Sequence, residues 1–157
     1  LILAGSSGLF DRGYTRGVPH RPSSEYLREK MQEIFYDPTL VTPAWVEEVR
    51  RAVTAPPSAM RVLRFARDAK HHKLEERLPH IHVPTLIVWG EEDRITPPEV
   101  AQRFHALIPD SRLVFLAHCG HVPMLERPDA FNGVVRAWLE ETSGRRARWE
   151  ATAGAVR

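Results

Sequence analysis

The stretch "LAHCGHVPMLERP", residues 116–128, places His118, Cys119 and His121 around Gly120. A histidine can take and return a proton near neutral pH when a carboxylate on one ring nitrogen fixes its tautomer and leaves the other nitrogen free. Carboxylates are offered by "GEEDRITP", residues 90–97, as Glu91, Glu92 and Asp93. Each stretch follows a run of strand-forming residues, so a carboxylate–histidine pair requires the two strand ends to emerge side by side.

The elements around these loops meet that requirement. "PTLIVWG", 84–90, is a strand; "TPPEVAQRFHALIP", 96–109, is a helix with Thr96 and Glu99 as a capping box around first-turn prolines; "RLVFLA", 112–117, is a second strand. "PDAFNGVVRAWLEE", 128–141, carries Phe131, Val134, Val135, Trp138 and Leu139 on one helical face. Strand–helix–strand–helix is the order of a parallel α/β sheet. In a right-handed crossover the C-terminal ends of neighbouring parallel strands lie roughly 5 Å apart at one edge. That edge is where ligands of open α/β sheets bind, and it brings Asp93 towards His121. Glu91 and Glu92 remain alternative carboxylates.

Upstream, "LILAG" has the pattern of a short strand buried on both faces, ended by glycine and serine. From Pro22 to about Leu78 the period becomes helical. Leu27, Met31, Ile34 and Phe35 form one stripe; Trp45, Val46, Val49 and Val53 form a second behind Thr42 as cap and Pro43 in the first turn; Met60, Leu63 and Ala66 begin a third. The expected organisation is an α/β core of residues 1–13 and 79–142, a helical insertion at 14–78 and a flexible basic tail at 143–157.

Other chemistry is weaker in the sequence. His118 and Cys119 lack the CxxC or HxxxH company of zinc sites and are expected to pack the loop. His71 and His72 in "KHHK" have the look of a solvated helix end, and His80 and His82 in "LPHIHVP" lead into a strand. "GSSG" has no following lysine and opens no helix, so it is not a phosphate cradle. No metal or cofactor is expected.

With 157 residues, 43% hydrophobic and 27% charged, the chain has the composition of a globular protein with one core. A formal net charge of +2 and arginines without interleaved aromatics argue against a nucleic-acid partner. No apolar run is long enough to cross a bilayer, the opening lacks the basic flank of a signal peptide, and the lone Cys119 excludes an internal disulfide. A cytoplasmic location with no membrane partner is the expectation.

Residues 84–141, with strand, G-x-x-D, helix, strand, G-H and "ERP", resemble the C-terminal part of the α/β-hydrolase fold family. The resemblance extends upstream: "LILAGSSGL" is similar to the strand before the cap in these enzymes. "SEYLREKMQEIFYDPTLVT" is similar to the helical cap of the branch containing meta-cleavage-product (carbon–carbon bond) hydrolases and related esterases. It implies a partial α/β-hydrolase fold of about three parallel strands with flanking helices and a cap. It also implies Asp93 as the acid, His121 as the catalytic histidine, a small-molecule substrate and no cofactor. Asp11 is a weaker alternative, because some members place the acid after the earlier strand. Phe35, Tyr36, Trp45 and Leu63 are candidates to line an apolar pocket, although such spacing also suits the cap's own core; no substrate-binding residue is assigned. The carbon–carbon hydrolases often carry a cap arginine near the second helix and a tryptophan after the histidine. Here Val49, flanked by Arg50 and Arg51, and Val122 stand there, which leaves the bond open between ester and carbon–carbon.

The family's nucleophile, a serine on a G-x-S-x-G elbow, has no counterpart in the sequence. "GYTRG", 13–17, centres on Thr15 in a loop, and Ser6 and Ser7 have the wrong spacing. Because the chain opens at Leu1 inside an apolar run, the expectation is a C-terminal fragment whose serine lies on a missing N-terminal half. A non-catalytic binding module and one subunit of a split hydrolase are the rival readings.

Overall fold

The structure, a computed structural model, describes residues 1–9, 22–55, 61 and 74–154, with side chains as far as residue 144. Its regular elements are β1 (Ile2–Ala4), α1 (Ser24–Gln32), α2 (Pro43–Thr54), β2 (Thr85–Gly90), α3 (Pro98–Leu107), β3 (Ser111–Leu116), α4 (Pro123–Glu126) and α5 (Pro128–Gly154), with 3-10 turns at Pro38–Leu40 and Leu78–His80. The strands form one parallel sheet in the order β1-β2-β3, in which Ile87 pairs with Leu3 on one side and Leu113 on the other.

The continuous apolar run of β2 has a direct cause: both of its faces are covered. Ile87 and Trp89 point to one side, where Val100, Ala101 and Phe104 of α3 pack with Leu78 and Ile108. Leu86 and Val88 point to the other and meet Leu116, Cys119 and Trp138. Each such side chain taken fully out of water contributes about 1.5–3 kcal/mol, so β2 is the anchor of the sheet. β1 departs from the expectation of burial on both faces. Among the described strands it pairs only with β2, which leaves Leu1 47% and Ile2 38% exposed.

Between β1 and β2 the described residues contain helices and turns but no strand. Thr42 caps α2 by accepting from Trp45 N at 3.2 Å, with Pro43 in the first turn, and Ser23 caps α1 in the same way. The expected stripes close on each other: Leu27, Met31, Phe35, Val41 and Val46 are buried together, and Phe35 meets Trp45 edge-on. The third stripe, at Met60, Leu63 and Ala66, lies outside the described residues.

Three expectations are corrected. Thr96 does not cap α3: Pro97 occupies the cap position without a side-chain bond, and Val100 N already donates to the Pro97 carbonyl. Leu139 is exposed rather than packed with Trp138. Helix α5 runs on to Gly154, past the expected end at Glu141, because residues 145–151, RRARWEA, are mostly good helix formers and outweigh Thr142, Ser143 and Gly144.

Candidate active site

At the carboxyl edge of the sheet, β2 gives way to a loop at 91–96 and β3 to one at 117–122. Gly90 lets these loops touch, since a Cβ there would lie 2.1 Å from the Gly120 carbonyl oxygen. Glu92 then ties them together, its carboxylate accepting from the backbone N–H groups of His118 and Cys119. Glu92 is thereby committed to the loop and Glu91 is exposed, so of the three candidate carboxylates Asp93 alone reaches the histidine.

The Asp93 side chain is fully buried and accepts four hydrogen bonds. Oδ1 accepts from Ile95 N at 2.8 Å and Thr96 N at 2.9 Å; Oδ2 accepts from Thr96 Oγ1 at 2.9 Å and stands 2.9 Å from His121 Nδ1. Surrounded by donors, the carboxylate takes its bond to the ring from a proton on Nδ1, which leaves Nε2 of the neutral imidazole as the free acceptor. Thr96 Oγ1 also lies 3.2 Å from Nδ1, and the loop is held from below by Trp89, whose buried indole N–H donates to the Thr96 carbonyl at 2.7 Å. The His121 side chain keeps 23% of its surface exposed, so the pair opens to one side while its acid stays dry.

Two backbones support His121. Its N–H donates to the Ile34 carbonyl at 2.8 Å, just past α1. On the other side Gly5, at the end of β1 with φ +52°, approaches so closely that a Cβ would lie 2.4 Å from the His121 carbonyl oxygen and 3.0 Å from the ring. Neither Ser6 nor Ser7 hydrogen-bonds His121.

The remaining candidates separate clearly. His118, held at φ 54°, brings its ring Nδ1 within 3.1 Å of the Tyr36 hydroxyl. Cys119 is buried, and desolvation, reinforced by Glu126 and Glu92, pushes its thiol up to about 12, far from a reactive thiolate. His80 and His82 are exposed, and among the described residues no group of three or more His, Cys, Asp or Glu is arranged for a metal. His71, His72, Asp11 and Thr15 lie outside the described residues. Phe35 packs in the core of the α1–α2 pair rather than lining a pocket, and Arg50 is paired with Glu47. A shallow depression bounded by Thr42, Trp45, Glu48 and Arg51 includes neither Asp93 nor His121. No described helix is long and apolar enough to cross a membrane.

Sequence reasoning read Thr96 as a helix cap and Glu92 as an alternative acid, and gave no role to Glu126 or Gly5. A signal existed for the first: the D-x-x-T spacing lets a hydroxyl and an N–H return to an aspartate in a tight turn.

Known proteins resemble the chain in sequence and in fold. The family model described as "Alpha/beta hydrolase family" matches residues 3–134. The 2-hydroxy-6-oxo-6-phenylhexa-2,4-dienoate hydrolase of Comamonas testosteroni is 30% identical over 125 residues, which are 76% of this chain and 43% of that protein. The pimeloyl-[acyl-carrier protein] methyl ester esterase of Neisseria meningitidis serogroup A is 38% identical over 82 residues, 50% of this chain and 25% of the esterase. Among solved structures, the meta-cleavage product hydrolase of Pseudomonas fluorescens IP01 superposes with a TM-score of 0.73 at 28% identity, over 90% of this chain and 55% of that one. The chain thus spans about half the length, or less, of the relatives it matches. A parallel sheet with helices on both faces, an aspartate and a histidine at its carboxyl edge, and a family model over most of the sequence lead to one conclusion: the chain belongs to the alpha/beta hydrolase family.

Proposed function

We propose that this chain supplies the acid and the histidine of a serine hydrolase acting on ester or carbon–carbon bonds of small apolar or aromatic substrates. The nucleophilic serine would come from an N-terminal segment outside the chain. The observation that carries the reading is the Asp93 Oδ2–His121 Nδ1 contact of 2.9 Å, with Nε2 left free. In that arrangement Nε2 takes the serine hydroxyl proton as the oxygen attacks the carbonyl carbon, and Asp93 stabilises the imidazolium. The same proton passes to the leaving alcohol, or to the carbon released when a carbon–carbon bond breaks. Water then repeats the sequence on the acyl-enzyme.

The substrate class is supported by the names of the similar proteins, a dienoate hydrolase and a methyl ester esterase. It is also supported by exposed apolar side chains at Tyr36, Met124 and Leu125, close in sequence to Ile34 and His121. In this reading α1 and α2 form the cap over the site. A reducing, cytoplasmic setting suits a chain whose one cysteine is a buried free thiol.

The test is p-nitrophenyl ester hydrolysis by the chain alone and by the chain co-expressed with the N-terminal segment of a family member carrying a G-x-S-x-G elbow. Turnover is expected only from the pair, and only with the elbow serine intact. Turnover by the chain alone that disappears in Ser7→Ala would overturn the reading.

A further inference from the structure

We infer that Glu126 is a positioning residue that clamps the His121 loop onto the end of α1, making the first helix of the cap part of the histidine's scaffold rather than a freely moving lid. The inference rests on the proposed role of His121 and goes beyond it. Three contacts converge on the same few atoms. Glu126 Oε1 accepts from Gly120 N at 2.8 Å and Oε2 accepts from Tyr36 N at 2.6 Å, so one carboxylate bridges the residue before the histidine and a residue beyond α1. Between them, His121 N donates to Ile34 O at 2.8 Å. Phe35, flanked by these two bonded residues, is buried in the α1–α2 core.

The fit leaves no slack. A Cβ on Gly120 would sit 2.6 Å from the Ile34 carbonyl oxygen and 2.8 Å from Tyr36 N. Two charge-assisted bonds to backbone N–H groups need both carboxylate oxygens, and no neutral side chain of the same length offers two acceptors. The His121 backbone is thus fixed by α1 while its ring is fixed by Asp93. An opening motion that carried the end of α1 away would have to break both the Tyr36 N–Glu126 and the His121 N–Ile34 bonds, and so release the histidine loop that Glu126 also holds through Gly120 N.

The experiment compares the full chain with Glu126→Gln, which keeps one acceptor, and Glu126→Ala, which keeps none. Amide hydrogen exchange is followed at Gly120, Tyr36 and His121, with Ile87 and Val88 of β2 as the internal measure of the global fold. The His121 ring tautomer is read by nitrogen NMR. The clamp requires at least roughly tenfold faster exchange at Gly120 or Tyr36 in Glu126→Gln and at both in Glu126→Ala. It also requires faster exchange of the His121 Nδ1 proton, with β2 protection unchanged. Wild-type rates in both variants would overturn it. Loss of β2 protection in Glu126→Gln would also overturn it, by making Glu126 a general requirement for folding. If instead the wild-type ring carries its proton on Nε2, the acid–histidine reading falls, and that outcome is distinct from failure of the clamp.

Discussion

Asp93 holds four donors in a dry pocket, and that count decides what replacing it does. In Asp93→Asn the amide oxygen stays with the Ile95 and Thr96 N–H groups, so the NH2 faces His121 and the ring is forced to protonate on Nε2. The expected results are an inverted tautomer by nitrogen NMR and a loss of about 1–3 kcal/mol in urea unfolding. Cys119 gives a second test. With its thiol pushed up to about 12, it should resist disulfide reagents at pH 8 until the chain is unfolded. Between about 9 and 12 the unfolded chain gives up this proton while the folded chain keeps it, so the thiol's contribution to stability falls as pH rises through that window. Cys119→Ala should therefore show a shallower alkaline loss than the wild type in urea titrations at pH 8 and pH 10.5. The choice of Asp93 over Glu91 and Glu92 rested on the family resemblance, but the meeting of its loop with that of His121 was legible in the sequence, because strand order alone places them. Thr96 was not: T-x-x-E and D-x-x-T overlap at one residue, and the buried carboxylate wins the hydroxyl because Pro97 and Pro98 leave the helix start little to be capped.

At the scale of elements, alternation and capping residues carried most of the information. "TLIVWG" forms the central strand because helices cover both faces, and Thr42 with Pro43 starts α2 where expected. Contacts between elements distant in sequence were beyond such patterns. Nothing local in "LILAG" shows that Gly5 ends against the His121 ring. That approach makes Gly5→Ala a sharp probe, since the new Cβ meets a carbonyl oxygen at 2.4 Å on a backbone with positive φ. The substitution should cost more than about 2 kcal/mol in chemical denaturation and shift the His121 ring resonances, whereas Ser7→Ala nearby should do neither.

For the whole molecule, the described sheet has β1 at one side with Leu1 and Ile2 exposed, and Val83 exposed beside β2. An open parallel edge flanked by apolar surface is a template for further strand pairing. The chain on its own should self-associate in size-exclusion chromatography at micromolar concentration, and co-expression with an N-terminal hydrolase segment should return it to a defined complex. A clean monomer that unfolds cooperatively would favour the binding-module reading. The central claim, that His121 is the proton carrier of a hydrolase site, is tested most directly by kcat/KM for a p-nitrophenyl ester in that complex with and without His121→Ala. A loss of roughly a thousandfold or more, with the complex still assembled, is the expected result. Activity that survives the loss of His121 would contradict it.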